Sequence, residues 1–316
     1  MSTAPVILCP GQGAQTVGMG KAWAEASPDA ARVFGLADEI LGNRLGAKLS
    51  TLCFEGPAES LNRTDIAQPA LYVAGVACFR AAFADVNPSD LAAAAGLSLG
   101  EYTALHIAGA FSFEDGLELV TLRGRAMQDA AEASDSGMVA LIGADEQQAN
   151  AVCETARGDG VLVPANFNAP GQIVISGSSD ACDRAVEVAA EAGLRATKLA
   201  VAGAFHSPLM KPAADRLAEA LANTPIAEPA CPVVSNVTAT PHSADSGVDF
   251  ASRLRELLVQ QLTSPVRWAE SCLWLSQNVS GEYHELTPNK VLSGLMRRID
   301  RSIKVHNHDA PRELTT

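Results

Sequence analysis

Gly96-Leu97-Ser98-Leu99-Gly100 fits the pattern G-x-S-x-G. A serine on a tight turn from strand to helix is pushed into a strained, exposed position, and flanking glycines leave room for close backbone packing. The N-terminus of the following helix then aims backbone N–H groups at a developing oxyanion. The chemistry is nucleophilic attack by a serine hydroxyl on an acyl carbon. Taken alone, the pentapeptide is a weak signal, because a serine between two glycines at a helix start is more often only an N-cap.

A serine hydroxyl needs a base, and the chain holds six histidines. His206, in Gly203-Ala204-Phe205-His206-Ser207-Pro208, comes where a predicted strand ends in a loop, a usual place for reactive residues in α/β folds. His106 lies about two turns from Ser98 on one predicted helix, out of reach. His242 sits in a Ser/Pro-rich loop and His284 follows Tyr283 near a turn. His306 and His308 fall in the C-terminal tail, and their H-x-H spacing reads as chance; no metal constellation is expected.

The elements around these residues follow from periodicity and turn signals. Val6 to Cys9 is a short apolar run stopped by Pro10-Gly11, a buried strand entering a turn. Helical periodicity covers Asp29 to Leu41 and Ile66 to Phe83, with Pro69 expected in the first turn of the latter. Leu91 to Ala95 is read as a strand against the helix propensity of its alanines, because Ser98 needs a strand before it. Helices are predicted over Ser98 to Ile107 and Ser112 to Ala131, the second N-capped by Ser112. From Met138 the pattern changes. Met138–Gly143, Val161–Ala165, Ile173–Ser176 and Ala196–Ala200 read as strands, with helices over Asp145–Thr155 and Asp180–Ala192. That order, βαββαβ, is ferredoxin-like. It predicts a small inserted domain over 129–197, with 1–128 and 198–316 forming one discontinuous large α/β domain. The tail after Lys304 reads as disordered.

The 316 residues suffice for such an arrangement. A formal net charge of −13 argues against nucleic-acid binding, which needs a basic stripe to displace counterions. Lys290, Arg297, Arg298, Arg301 and Lys304 nevertheless gather near the C-terminus, either as a solvated amphipathic helix or as a docking surface. Seven scattered cysteines, odd in number and without C-x-x-C, read as reduced thiols used as small hydrophobes. No leader pattern or membrane-length apolar run is visible, so a cytoplasmic protein is expected. The sequon at Asn236 is then a chance match.

Six motifs occur in order: Pro10-Gly11-Gln12-Gly13-Ala14-Gln15, Gly96-Leu97-Ser98-Leu99-Gly100-Glu101-Tyr102, Arg123-Gly124-Arg125-Ala126-Met127-Gln128, Asn166-Phe167-Asn168-Ala169-Pro170-Gly171-Gln172, Phe205-His206-Ser207, and Gln261-Leu262-Thr263-Ser264-Pro265-Val266-Arg267-Trp268. In this combination the chain resembles the malonyl-CoA:acyl-carrier-protein transacylase family, over nearly its whole length.

The resemblance implies an α/β-hydrolase-like large domain with a parallel sheet. It implies Ser98 as the acylated nucleophile and His206 as general base, oriented by a backbone carbonyl at Gln261. Backbone N–H groups of Gln12 and Leu99 would form the oxyanion hole. Arg123 would pair with the free malonyl carboxylate, which its planar fork matches and which its permanent charge requires. Phe205 corresponds to a position linked to malonyl over methylmalonyl preference, and ordinary core packing explains it equally well. Asn166 and Asn168 correspond to contacts with the coenzyme A arm, or are turn residues. The implied substrates are malonyl-CoA and the phosphopantetheine thiol of acyl carrier protein, with no cofactor, in fatty acid synthesis; Lys290, Arg297, Arg298 and Arg301 would meet the carrier. A polyketide acyltransferase, a serine thioesterase or esterase, and a non-catalytic carrier-binding module are the alternatives. Two departures stand out. Leu97 replaces a frequent histidine, and Thr287-Pro288-Asn289 stands where the family often has Gly-Pro-Gly, a turn that Asn can still make at positive φ.

Overall fold

The computed structural model describes residues 4–244 and 247–311. Its strands are β1 (Pro5–Cys9), β2 (Ala93–Gly96), β3 (Ser136–Ile142), β4 (Leu162–Ala169), β5 (Gln172–Ser178), β6 (Arg195–Lys198), β7 (Val233–Val234), β8 (Glu282–Leu286) and β9 (Val305–His308). Its helices are α1 (Lys21–Ala26), α2 (Pro28–Leu41), α3 (Leu49–Glu55), α4 (Ala58–Leu61), α5 (Thr64–Ala82), α6 (Leu99–Ile107), α7 (Phe113–Glu132), α8 (Glu146–Ala156), α9 (Ser179–Glu191), α10 (Lys211–Asn223), α11 (Phe250–Gln260), α12 (Trp268–Asn278) and α13 (Val291–Ile299).

The fold is mixed α/β, as expected. A parallel sheet runs in the order β7-β2-β1-β8-β9, with Val6 opposite Ala93 and Cys9 opposite Gly96. Its inner strands β1 and β2 are covered on both faces and are apolar, whereas β8 and β9 at one side carry polar residues. Along β1, Ile7 and Cys9 enter one core while Val6 and Leu8 enter another; in β2, Ala94 faces the first and Ala93 and Ala95 the second. This burial on both faces, together with pairing to β1 and β7, overrides the helix propensity of the alanines.

The second sheet is antiparallel, in the order β4-β5-β3-β6. With α8 and α9 it completes the expected βαββαβ unit. One face packs on those helices through Val139, Leu141, Ile173 and Ile175. The other turns Met138, Ala165 and Val174 into the main core. The space between that face and the parallel sheet holds the candidate site.

Helix ends follow their caps. The Ser112 hydroxyl accepts from the N–H of Asp115 at the start of α7, as predicted. Two expectations are corrected. Pro69 lies beyond the first turn of α5, because that helix begins two residues earlier, at Thr64. Val305–His308 is not a disordered tail: it is β9, held in parallel register on β8 from Tyr283–Val305 to Leu286–His308. Backbone pairing supplies that order, so side-chain pattern does not reveal it. His306 and His308 therefore sit in a sheet; residues 312–316 of the predicted tail lie outside the described residues. All seven cysteines are buried and unpaired, and burial raises the thiol pKa of every one of them. No helix among the described residues is long and apolar enough to cross a membrane.

Candidate active site

Ser98 sits between β2 and α6 at φ 53° and ψ −105°, a left-handed backbone that a side chain rarely adopts. The turn is that tight because its glycines let backbone meet backbone. A Cβ on Gly96 would fall 1.9 Å from the carbonyl carbon of Gly100, and one on Gly100 would fall 2.0 Å from the carbonyl oxygen of Cys9. The strain is held by a clamp. The Ser98 N–H donates to Asn236 Oδ1 at 2.5 Å, and Asn236 Nδ2 donates to the Gly96 carbonyl at 2.7 Å.

His206 reaches the same hydroxyl from the loop after β6, itself at φ 57°. Its Nδ1 lies 2.8 Å from the Gln261 carbonyl oxygen, which can only accept, so Nδ1 carries the proton. Nε2 is left with a lone pair, 2.9 Å from Ser98 Oγ, which donates to it. Burial, and then the nearby Arg123 charge, push the His206 pKa down to about 4, while the Gln261 bond opposes the shift. The ring is neutral at pH 7 and can take a proton.

Arg123, on α7, is 1% exposed. Its Nη1 donates to Gln68 Oε1 at 2.7 Å, and its Nη2 donates to Ser98 Oγ at 3.0 Å and to Gln261 Oε1 at 2.9 Å. The guanidinium carbon lies 5.4 Å from the centre of the Tyr102 ring. None of these partners is a carboxylate, and Nε has no hydrogen-bond partner among the described residues. Burial pulls the pKa of Arg123 below the ordinary arginine value. A cation so enclosed, with no carboxylate in hydrogen-bond contact, is poised for an anion.

Above Ser98 opens a cavity of about 460 Å³, lined by Gln12, Ser98, Asn166, Asn168, Phe205 and His206 among others. Arg123 lies behind Ser98 and does not itself line this space. The N–H groups of Gln12 and Leu99 make no hydrogen bond to another described residue. Asn168 Oδ1 is buried beside the cavity with no hydrogen-bond partner among the described residues. The departure at Asn289 is accommodated: it holds φ 66°, and its Nδ2 donates to the Ala14 carbonyl at 2.6 Å, tying the turn before α13 to the Gln12 loop.

Four residues beneath the site carry no role in the sequence reading. Gln68 holds Arg123, and Asn236 holds the Ser98 turn. Glu101, quoted only within a motif, accepts from Asn236 N–H, from Gln261 Nε2 and from His242 Nε2. His242, dismissed above as a loop residue, is 8% exposed because of that contact. The signal present was Glu101 itself, an acidic residue in the first turn of a helix with no exposed face. Among the described residues no group of three or more His, Cys, Asp or Glu could hold a metal ion.

A neutral imidazole accepting from a strained serine, beside open N–H groups on an α/β sheet, is the equipment of serine-dependent acyl chemistry. The model of the acyl transferase domain family matches residues 6–292. The chain belongs to that family. It is 44% identical over 299 residues to the malonyl CoA-acyl carrier protein transacylase of Bacillus subtilis, covering 94% of this chain and 90% of that protein. The solved malonyl-CoA:acyl carrier protein transacylase of Xanthomonas oryzae superposes with a TM-score of 0.89 at 43% identity, over 98% of this chain and 96% of that one. A malonyl-transacylase solved in complex with its type II PKS acyl-carrier protein superposes with a TM-score of 0.90 at 36% identity, over 98% and 97%.

Proposed function

We propose that this enzyme moves a malonyl group from malonyl-CoA to the phosphopantetheine thiol of an acyl carrier protein, through an ester on Ser98. His206 takes the Ser98 proton as Oγ bonds to the malonyl thioester carbon. The N–H groups of Gln12 and Leu99 receive the oxyanion. The carbon–sulfur bond breaks, and coenzyme A leaves with the proton from His206. The carrier thiol then attacks the ester, His206 again serving as base, and Ser98 is restored. Such double displacement is ping-pong.

The observation that carries this reading is Arg123, a buried guanidinium without a carboxylate partner, 3.0 Å from the reacting oxygen. A malonyl group brings the missing carboxylate. Acetyl leaves the cation unpaired, at a cost of roughly 2–5 kcal/mol. A thioesterase or esterase has no use for this arrangement. The near relatives' names support the same reaction. Supply of fatty acid synthesis is the reading adopted, and a polyketide route is the second, favoured by the carrier complex among the similar structures. Phe205 would crowd an α-methyl group, and Asn166 and Asn168 would receive the coenzyme A arm.

We assign residues 129–197 to an inserted domain, and 1–128 with 198–316 to the catalytic one. The separate core beneath β3 to β6 supports that division. The exposed Lys290, Arg297, Arg298 and Arg301 would meet the carrier. The enzyme is read as cytoplasmic and cofactor-free.

The test is intact-protein mass spectrometry after incubation with malonyl-CoA or acetyl-CoA, without carrier. A malonyl adduct on the wild type, absent from Ser98→Ala and weak in Arg123→Ala, is expected. Coenzyme A release without adduct would instead mean a hydrolase.

A further inference from the structure

Glu101, in the first turn of α6, is 1% exposed and touches neither Ser98 Oγ nor the cavity. Its two oxygens nevertheless organise what surrounds the serine. Oε2 accepts from the N–H of Asn236 at 3.0 Å and from Nε2 of Gln261 at 2.7 Å. Oε1 accepts from Nε2 of His242 at 2.7 Å.

Each contact leads back to the reacting groups. Asn236 clamps the Ser98 turn through its side chain. Gln261 holds His206 through its carbonyl and Arg123 through Oε1, and its Nε2 also donates to the Ser98 carbonyl at 3.1 Å. The Gln261 amide has one workable orientation. Flipped, it would aim its N–H groups at the Arg123 donor and its oxygen at the Glu101 carboxylate. The carboxylate therefore decides which way that amide points, and so where the Arg123 guanidinium rests. The segments so joined lie 135 to 160 residues from Glu101 in sequence.

We propose that Glu101 is a positioning residue for acylation: a buried carboxylate, steadied by His242, that aligns Ser98, His206 and Arg123 through Asn236 and Gln261. The inference rests on the reading of Ser98 and His206 as nucleophile and base. It adds an acid to a site whose histidine contacts none directly. Removing the carboxylate leaves the Asn236 N–H buried without its acceptor and frees the Gln261 amide. Glu101→Gln is the conservative replacement. Its carbonyl oxygen can serve Asn236 and Gln261 while its amide faces His242. That histidine can become the acceptor by moving its proton to Nδ1, an atom with no partner among the described residues.

Two probes of Ser98 test this: the single-turnover rate of self-malonylation by malonyl-CoA, and the rate of phosphonylation by a fluorophosphonate, which carries no carboxylate. Glu101→Ala should slow both by about 10- to 100-fold, the loss typical of a small misplacement, while half-saturating malonyl-CoA changes by less than about 3-fold. Glu101→Gln should recover most of the rate. Wild-type rates in Glu101→Ala, or a Glu101→Gln variant as slow as Glu101→Ala, would overturn the proposal. If Glu101→Ala does not fold, Asn236→Ala decides: slowed phosphonylation supports the alignment, and an unchanged rate overturns it. A wild type that takes the fluorophosphonate but no malonyl group would reject the proposed substrate and leave the alignment to be judged by phosphonylation alone.

Discussion

His206 Nδ1 donates to the backbone carbonyl of Gln261 over 2.8 Å, so the imidazole that meets Ser98 leans on a dipole and not on a carboxylate. A carboxylate in that place would stabilise the imidazolium and raise the pKa of the ring. The carbonyl fixes tautomer and orientation with far less of that effect. With the ring buried and Arg123 close by, it stays neutral well into the acid range.

The pH dependence follows. The rate of coenzyme A release, expressed as kcat/KM for malonyl-CoA, should hold down to an acid limb near pH 4 set by His206. Folding stability should carry the same signature. The folded pKa lies below the ordinary value of 6.5, so between pH 4 and 6.5 the unfolded chain binds more protons. The neutral ring therefore costs nothing above that window, and stability declines as pH falls through it. An acid limb at pH 6 to 7 in the free enzyme would contradict the assigned environment.

Arg123→Ala should act on two quantities at once. Losing the guanidinium removes the proposed partner of the malonyl carboxylate, so malonyl transfer should fall by the equivalent of roughly 2–5 kcal/mol while acetyl transfer falls less. It also removes a charge that holds the His206 pKa down, so the acid limb of the residual activity should move upward. Parallel pH profiles with malonyl-CoA and acetyl-CoA check both. A limb that stays in place would mean burial alone governs the ring.

Much of this site was legible in the sequence because chemistry concentrates it in short motifs. The Ser98 turn needs glycine at Gly96 and Gly100, and both packing constraints are visible in the pentapeptide. The strand read over Leu91 to Ala95, which the structure places at Ala93–Gly96, could be assigned only because Ser98 demanded one. The network beneath was not legible. Glu101 meets His242 across 141 residues and Asn236 across 135, and neither contact leaves a local pattern. The Asn236 sequon is indeed no surface site, since that residue is fully buried. β9 was missed because its order comes from pairing with β8.

Gly96→Ala and Gly35→Ala should differ in sign. The new methyl at Gly96 meets Gly100 and Glu101 backbone atoms at 1.9 to 2.4 Å, which cannot move without breaking the Ser98 turn. A loss of at least about 1–3 kcal/mol is expected. At Gly35, inside α2, nothing lies within 4 Å, and alanine should stabilise by about 0.5–1 kcal/mol. Thermal melts of the two variants compare them directly. A neutral Gly96→Ala would mean that the turn can relax.

Arg297 and Arg298 are both exposed on the last turn of α13, but only one is free to act as a simple docking charge. Arg298 Nη2 donates to the Pro170 carbonyl at 3.1 Å and Nη1 to Gln172 Oε1 at 3.3 Å, strapping α13 to the β4–β5 hairpin beside the cavity. Its reversal to glutamate therefore loosens an internal contact as well as changing surface charge. Arg297→Glu is the cleaner probe. It should raise the KM for an acidic carrier and change no other parameter, leaving self-malonylation at the wild-type rate, because Arg297 does not line the cavity above Ser98, although Val291, Leu292 and Leu295 of the same helix do. Arg298→Glu should raise the carrier KM and also lower the melting temperature slightly. Exposed charges steer association more than they hold it, so the Arg297→Glu effect should shrink as salt is added. A carrier KM unchanged in Arg297→Glu at low ionic strength would remove this helix from the docking surface and leave Arg298 with its structural role alone.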